Sequence, residues 1–499
     1  MKKSIVVVIA NCFLLLFAAL AHAQSQAEET VATAIQPAEV AQHIRFLAAD
    51  ELQGRDTGSP ELEIAARYLA EHFRRYGLDT VPGAGDYFQP VKLVSAKPPE
   101  QATLAYAEES FQIASDLLVL SGDSITVEAP VVFANYGAAD ELDDAKVDGK
   151  IVVTKAGGEG VNNPQSFYYM TAEKRERVAA RGGVALVELY RSNQAPWSIL
   201  VQYLNTERLS LGSNDEEAEA SLPVLWLNDP QGERLTLFQE PSDQQATLTV
   251  TKKESVDIPA KNVVAMVEGT DAQLKDQYIV LSAHYDHIGT GSSPNPNDSI
   301  YNGARDNAIG TTALLSAAEY FGQHPPKRSI LFIALTAEEK GLLGSAWYAE
   351  HPLVPLDQTV FNLNTDGAGY DDTTKVTAIG LERTTAEKTI ISASEAFGLE
   401  AVMDPVPEQN LYDRSDNVSF AQKGIPAVNF APGMTSFGPA IMKNYHQVSD
   451  EAATLNFAYV EKYCEAYTLA AEQIANLPDA PSWKEGDKYE EAGKKLYGE

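Results

Sequence analysis

Cysteine is nearly missing from this chain: its 499 residues include two, Cys12 and Cys464. Cys12 sits in an apolar N-terminal stretch. The rest of the chain therefore keeps one thiol, which closes no internal disulfide, so stability must come from an apolar core and any bound metal. Cys464 falls in the helical pattern "YVEKYCEAYTLAAEQIANL" and is expected to be a buried, inert thiol. Positive charge is also scarce. Lys and Arg number 38 against 70 Asp and Glu, for a formal net charge of -32, which argues against nucleic acid or an anionic membrane surface as a partner. Histidine is rare as well, and none lies between residues 110 and 255, so little catalytic chemistry is expected from that stretch.

What is present begins with "MKKSIVVVIANCFLLLFAALAHAQ", where Lys2 and Lys3 precede an apolar run that ends at Ala21-His22-Ala23. Basic start, apolar centre and small-residue exit form a secretory signal, expected to be cut after Ala23. The run is short for a membrane span. The mature protein is therefore expected in the periplasm or outside the cell, without stable membrane insertion. With 44% hydrophobic and 22% charged residues, the remainder has globular composition, and its length suits two folded units plus appendages.

Along the chain the patterning changes twice. Residues 24–110 include "ELEIAARYLAEHFRRY", with Leu62, Ala65, Ala66, Leu69 and Phe73 on one helical stripe, Ser59-Pro60 at its start and Gly77 at its end. Residues 111–255 turn to short β-like runs such as "APVVFANYG", "GKIVVTKAG" and "LPVLWLN", broken by Gly, Asp and Asn, with one helical piece, "MTAEKRERVAARGG". This reads as a separate α+β or β-rich insert, with "SNDEEAEA" as an exposed acidic loop. Residues 256–477 alternate strands and helices, which predicts an α/β fold with a mixed, mostly parallel central sheet flanked by helices. The polar stretch 478–499 is a strap or a frayed end.

Three apolar runs of the third region end in metal-binding side chains: "YIVLSAH" at His284, "SILFIALTAEE" at Glu338 and Glu339, and "TVFNLNTD" at Asp366. In open α/β sheets functional groups gather beyond the carboxyl ends of the strands, so these distant residues should converge. Asp306 in "YNGARDNAIG" and His446 in "NYHQVSD" complete the group. Two imidazoles and three carboxylates exceed the needs of one tetrahedral zinc but suit two zinc ions sharing a bridging carboxylate; Co2+ or Mn2+ would also accept such donors. Glu339 is then expected to bind metal. Glu338, just outside, would take a proton from the attacking water and pass it to the leaving amine. Asp286, two residues after His284, faces the same way in extended backbone and is expected to accept the second imidazole N–H. His287 could take the place of His284 as ligand.

On "SAHYDH", "NGARDNAIG", "TAEEKGLLGS", "NTDG" and "YHQVSD", the chain resembles the co-catalytic zinc aminopeptidases, metallopeptidase family twenty-eight, over about residues 40 to 475. The resemblance implies a zinc exopeptidase fold in which Asp306 bridges the ions, Glu339 and His446 complete one site, His284 and Asp366 complete the other, and the peptide after Asp306 is cis. It also implies that the insert is a protease-associated domain. Two positions depart from the family pattern: Arg305 precedes the bridging aspartate where an acid is common, and Asn417 stands where histidine is frequent. The expected activity is removal of the first residue from peptides with a free N-terminus. The alternatives are a carboxypeptidase or dipeptidase using Arg305 or Arg414, a glutaminyl cyclase-like acyltransferase, or a receptor-like binding protein without catalysis.

Overall fold

In a computed structural model, residues 25–498 are described apart from 162–163, 193, 213–221, 241–243, 253 and 294. The expected leader and the acidic stretch after Gly212 lie outside the described residues. Two units result, one made of the residues up to Lys92 together with Pro259–Glu499, the other of Leu93–Ile258. The second unit thus begins ahead of residue 111, because the strand Ala102–Tyr106 pairs with Glu109–Gln112 on one side and with Gln245–Val250 on the other.

In the first unit the apolar runs form β1 (Ser255–Val267), β2 (Tyr278–His284), β3 (Ser329–Leu335), β4 (Thr359–Asn364), β5 (Lys375–Ile379), β6 (Glu400–Val402) and β7 (Ala427–Pro432), in the spatial order β6-β5-β7-β4-β2-β3-β1. The pairs β2–β3, β2–β4, β4–β7 and β5–β6 are parallel, while β1–β3 and β5–β7 are antiparallel. Both faces are covered. Successive side chains alternate between them, so Ile279, Leu281 and Ala283 of β2 join one core while Val280 joins another. The first core is closed by α1 (Pro37–Leu47), α2 (Pro60–Arg75), α3 (Ile309–Gln323) and α5 (Phe457–Ala475); the second draws on Tyr348 of α4 (Leu343–Glu350) and Phe420.

Helix α2 follows its sequence signals. Ser59 accepts a hydrogen bond from the Leu62 N–H at 3.1 Å, Pro60 fills the first turn, and Gly77 takes a positive φ of 79° just past the end. Cys464 of α5 is fully buried, and burial pushes its thiol up to about 12, an inert state. The C-terminal stretch is a strap: Trp483 is buried and donates to the Gly424 carbonyl, and Asp487 accepts both arms of Arg383 at 2.7 and 2.9 Å.

The second unit is a mixed sheet whose central strands Ile125–Phe133, Ile151–Lys155, Ala185–Tyr190 and Val224–Asn228 run parallel. Within it Lys174, on the helix Pro164–Ala179, meets Glu188 at 2.7 Å with both side chains buried. Glu188 also accepts from Thr171 and from Trp226 Nε1. A charge pair so deep is held by complete hydrogen bonding rather than by solvent.

Candidate metal centre

Strand register sets the first level of the site. His284, the last residue of β2, lies opposite Leu335, the last of β3, and Ser282 lies opposite Asn364, the last of β4. The segments that continue past these ends therefore emerge side by side, carrying His284, Glu338 with Glu339, and Asp366. Asp306 arrives from the turn that opens α3, and its peptide bond to Asn307 is cis. His446 arrives in a left-handed turn with φ 54°. All five expected donors come together.

Asp306 stands between two groups. Its Oδ1 lies 3.3 Å from His284 Nε2, which is in turn 3.0 Å from Asp366 Oδ1. Its Oδ2 lies 3.2 Å from His446 Nε2, which is also 3.2 Å from Glu339 Oε2. Two donors each about 2.0–2.1 Å from one tetrahedral zinc would be about 3.3 Å apart, so both groups have the spacing that a shared ion requires. His287 joins the second group, with Nδ1 2.7 Å from Glu339 Oε1.

The donors also fit a metal by what they lack. Neither nitrogen of the fully buried His287 has a hydrogen-bond partner, and neither does Glu339 Oε1. Buried polar atoms are normally paired. A cation held by Asp306, Glu339 and His446 would fix the Glu339 carboxylate beside this imidazole.

Electrostatics separates the adjacent acids. Burial, then Asp366, Asp416 and Glu339, raise Glu338 well above the usual carboxylate value against the pull of His284. Burial and Asp306 act upward on Glu339 too, but His287 and His446 outweigh them and bring it down to about 2. Two neighbouring carboxyls thus hold different protonation tendencies, the arrangement that divides acid–base work from ligation. Burial lowers both imidazoles, yet the carboxylates prevail: His284 rises well above its ordinary value and His446 rises to about 10.

Asp286 acts otherwise than expected. The ring nitrogen Nδ1 of His284 faces the Asp286 backbone carbonyl at 3.2 Å, while the carboxylate is 3.8 Å away. That carboxylate is already engaged, accepting from the N–H groups of Glu338 and Glu339 at 3.1 and 3.3 Å and from Thr57 at 3.1 Å. Asp286 therefore positions the backbone of the glutamate pair. The carbonyl next to it orients the imidazole.

Four contributors escaped the sequence reading. Arg55 is buried and donates to the carbonyls of Leu47, Tyr285, Asn302 and Gly303, tying the strand that carries His284 to the turn that carries Asp306. Asp450 accepts from the N–H groups of Arg305 and Asp306 at 2.8 and 3.3 Å. Ser415 donates to Asp366 Oδ2 at 2.5 Å, and Thr57 holds Asp286. Asp450 stands inside the quoted "NYHQVSD", but nothing local marks its partners. Of the two arginines considered for substrate binding, Arg305 is consumed by Asp450 at 2.9 Å and Thr454 at 2.8 Å. Arg414 instead lines the cleft above the donors, with Ile379, Leu411, Met434 and Phe437. Asn417 donates to the Tyr412 carbonyl.

Residues 262–469 match peptidase family M28. Aminopeptidase YwaD of Bacillus subtilis is 26% identical over 53% of this chain and 55% of its own length. The vacuolar membrane protease of Saccharomyces cerevisiae is 31% identical over 34% of this chain and 15% of its own length. The chain thus spans about half of the first of these relatives and a small part of the second. Among solved structures, an aminopeptidase from Aneurinibacillus sp. strain AM-1 superposes with a TM-score of 0.56 at 20% identity, over 91% of this chain and 97% of that one. The chain accordingly shares the fold of that aminopeptidase, its residues 262–469 match a metallo-exopeptidase family, and a two-metal donor set stands at the ends of its central strands.

Proposed function

We propose that this protein is an exported zinc-dependent aminopeptidase that hydrolyses the first peptide bond of peptides with a free N-terminus. The observation that carries this reading is Asp306, whose two oxygens face two separate donor groups while the raised carboxyl of Glu338 stands beside them. His284, Asp306 and Asp366 would hold one Zn2+; Asp306, Glu339 and His446 would hold the other. Bound there, the ions supply Lewis acidity that activates water and polarises a carbonyl. Glu338 takes the proton of the attacking water on its carboxylate and delivers it to the departing amine, a transfer that its upward shift suits. The substrate's free amine is held next to this cluster. Only a chain end then fits. The wall of Ile379, Leu411, Met434 and Phe437 favours an apolar first side chain.

Export rests on the leader pattern of residues 1–23. The insert is read as a protease-associated domain that shapes substrate access. Among the described residues no helix is long and apolar enough to cross a membrane.

A second reading has one observation in its favour: Arg414 lines the cleft and could pair with a substrate carboxylate, as in a carboxypeptidase or dipeptidase. Substrate end-blocking separates the two. The aminopeptidase reading expects about two zinc per chain by elemental analysis, hydrolysis of leucine amide and no hydrolysis of its N-acetyl derivative. Equal rates on both amides would refute it, and turnover restricted to peptides with a free C-terminus would establish the alternative.

A further inference from the structure

We propose that the second unit carries a peptide-binding groove of its own, in which an extended acidic peptide adds as a strand between two open sheet edges. This rests on the peptidase reading only for the source of the peptide, which is the substrate of the catalytic unit.

Two strands build the groove, and each has one neighbour among the described residues. Leu117–Ser121 pairs with Val224–Asn228, Arg208–Leu211 pairs with Leu93–Ala96, and each lies at the end of its sheet. Leu120 and Ser121 of the first strand and Leu209 and Ser210 of the second line one hollow of about 410 Å3, a size within the range of ligand clefts. In the first strand a bulge leaves Leu120 without a partner in the ladder. Among the described residues, 118–121 and 208–211 make no backbone hydrogen bond outside these two ladders. A strand in a ladder turns alternate N–H and C=O groups away from its partner. Both edges therefore offer main-chain donors and acceptors that an extended peptide can pair with, whatever its side chains.

Charge and shape select the occupant. The chain carries a formal net charge of -32, yet the cations gathered here are poorly matched by acids. Arg208 lines the groove and donates to the Tyr203 carbonyl at 2.7 Å, while Arg175 lines an adjoining hollow that shares Leu120 and Ser121. Neither has an ion pair among the described residues. Lys97, also on the groove, lies 3.5 Å from Glu254 with both side chains exposed, and Glu207 is engaged by Ser95 at 2.5 Å. Carboxylates of a ligand suit such partners. Beside them the helix Trp197–Leu204, whose Leu204 lines the groove, leaves Ile199 and Tyr203 42% and 69% exposed, which gives alternate apolar side chains of a bound strand a surface to cover. A second copy of the chain fits poorly. An edge strand still held in its own sheet cannot enter between two edges, and two molecules of this charge repel each other.

The test uses the full chain and a peptide of alternating Glu and Val, about eight residues long, blocked at both ends so that it is not consumed. Hydrogen–deuterium exchange is expected to slow in 117–122 and 208–211 when this peptide is added, and to stay unchanged with the same peptide N-methylated along its length. Arg208→Glu should weaken binding about tenfold, read by fluorescence anisotropy of the labelled peptide, with hydrolysis of leucine amide unchanged. Should that variant not fold, the exchange comparison on wild type decides. Slowing confined to the segments of Glu338 and His446, or no slowing at saturating peptide, would overturn the groove. Slowing of the two strands that follows protein concentration instead of peptide would assign the edges to a second copy and overturn it as well. Leucine amide hydrolysis tests the peptidase reading separately: its absence alongside protected strands would remove the source of the peptide and leave the groove standing.

Discussion

Glu338 and Glu339 are joined by one peptide bond, and Asp286 accepts the N–H of each, yet burial and neighbours drive their carboxyls in opposite directions. Replacing Glu338 by Gln removes the proton carrier and leaves the proposed ligands intact. Turnover is expected to fall by about 10²–10⁴-fold, with metal content by elemental analysis unchanged. Loss of metal would mean that the roles of the two glutamates are reversed. Four of the donors could be read from the sequence because each ends an apolar run or stands in a glycine-flanked turn, while His446 carries no such mark and is reached only in company with the others. Their supports could not. Arg55 acts on carbonyls up to 248 residues away, and Asp450 on N–H groups 145 and 144 residues away, so no local pattern announces either. The contacts of the Asp286 carboxylate are hidden for a related reason: strand alternation gives the face of a side chain, whereas the N–H groups it accepts come from the turn that follows β3.

At the level of elements, strands and helices obeyed their periodicities, and the surprises lie in polar contacts between them. Helices α1 and α2 meet through His43, which lies 2.8 Å from the Tyr68 hydroxyl and 3.1 Å from that of Tyr76, beside His72. Burial first, then the charges of His72 and Arg75, lower His43 to about 3. An unfolded chain takes up this proton near pH 6.5 and the folded one does not until about 3, so stability present above 6.5 is lost as pH falls through that window. The slope is about 1.4 kcal/mol per pH unit. Between pH 7 and pH 4.5 the wild type is expected to lose about 2–3 kcal/mol more than His43→Gln, measured by urea unfolding at each pH. Equal losses would show that the histidine does not carry the acid sensitivity of this helix pair. The start of α2 offers a simpler check. Removing the Ser59 hydroxyl in Ser59→Ala should cost about 1 kcal/mol in the same unfolding measurement, with no change of activity.

The whole molecule divides its tasks between two units, each with apolar cores of its own. The change of patterning and the lack of histidine led to an expected insert at residues 111–255, and the compact second unit spans Leu93–Ile258, since Leu93–Gln101 carries no break in composition. Every proposed donor lies in the first unit, so metal should stabilise that unit selectively. An ion present at a hundred times its dissociation constant adds about 2.7 kcal/mol to the state that binds it. Two such ions would raise the unfolding temperature of a unit this size by about 8 °C. Scanning calorimetry of chelator-treated protein, repeated after zinc is returned, should therefore show one transition that moves with the metal and a second, belonging to the insert, that does not. A pair of transitions moving together, or neither moving, would count against donors confined to one unit; and because the readout is unfolding rather than turnover, it tests metal binding even where the substrate is wrongly assigned.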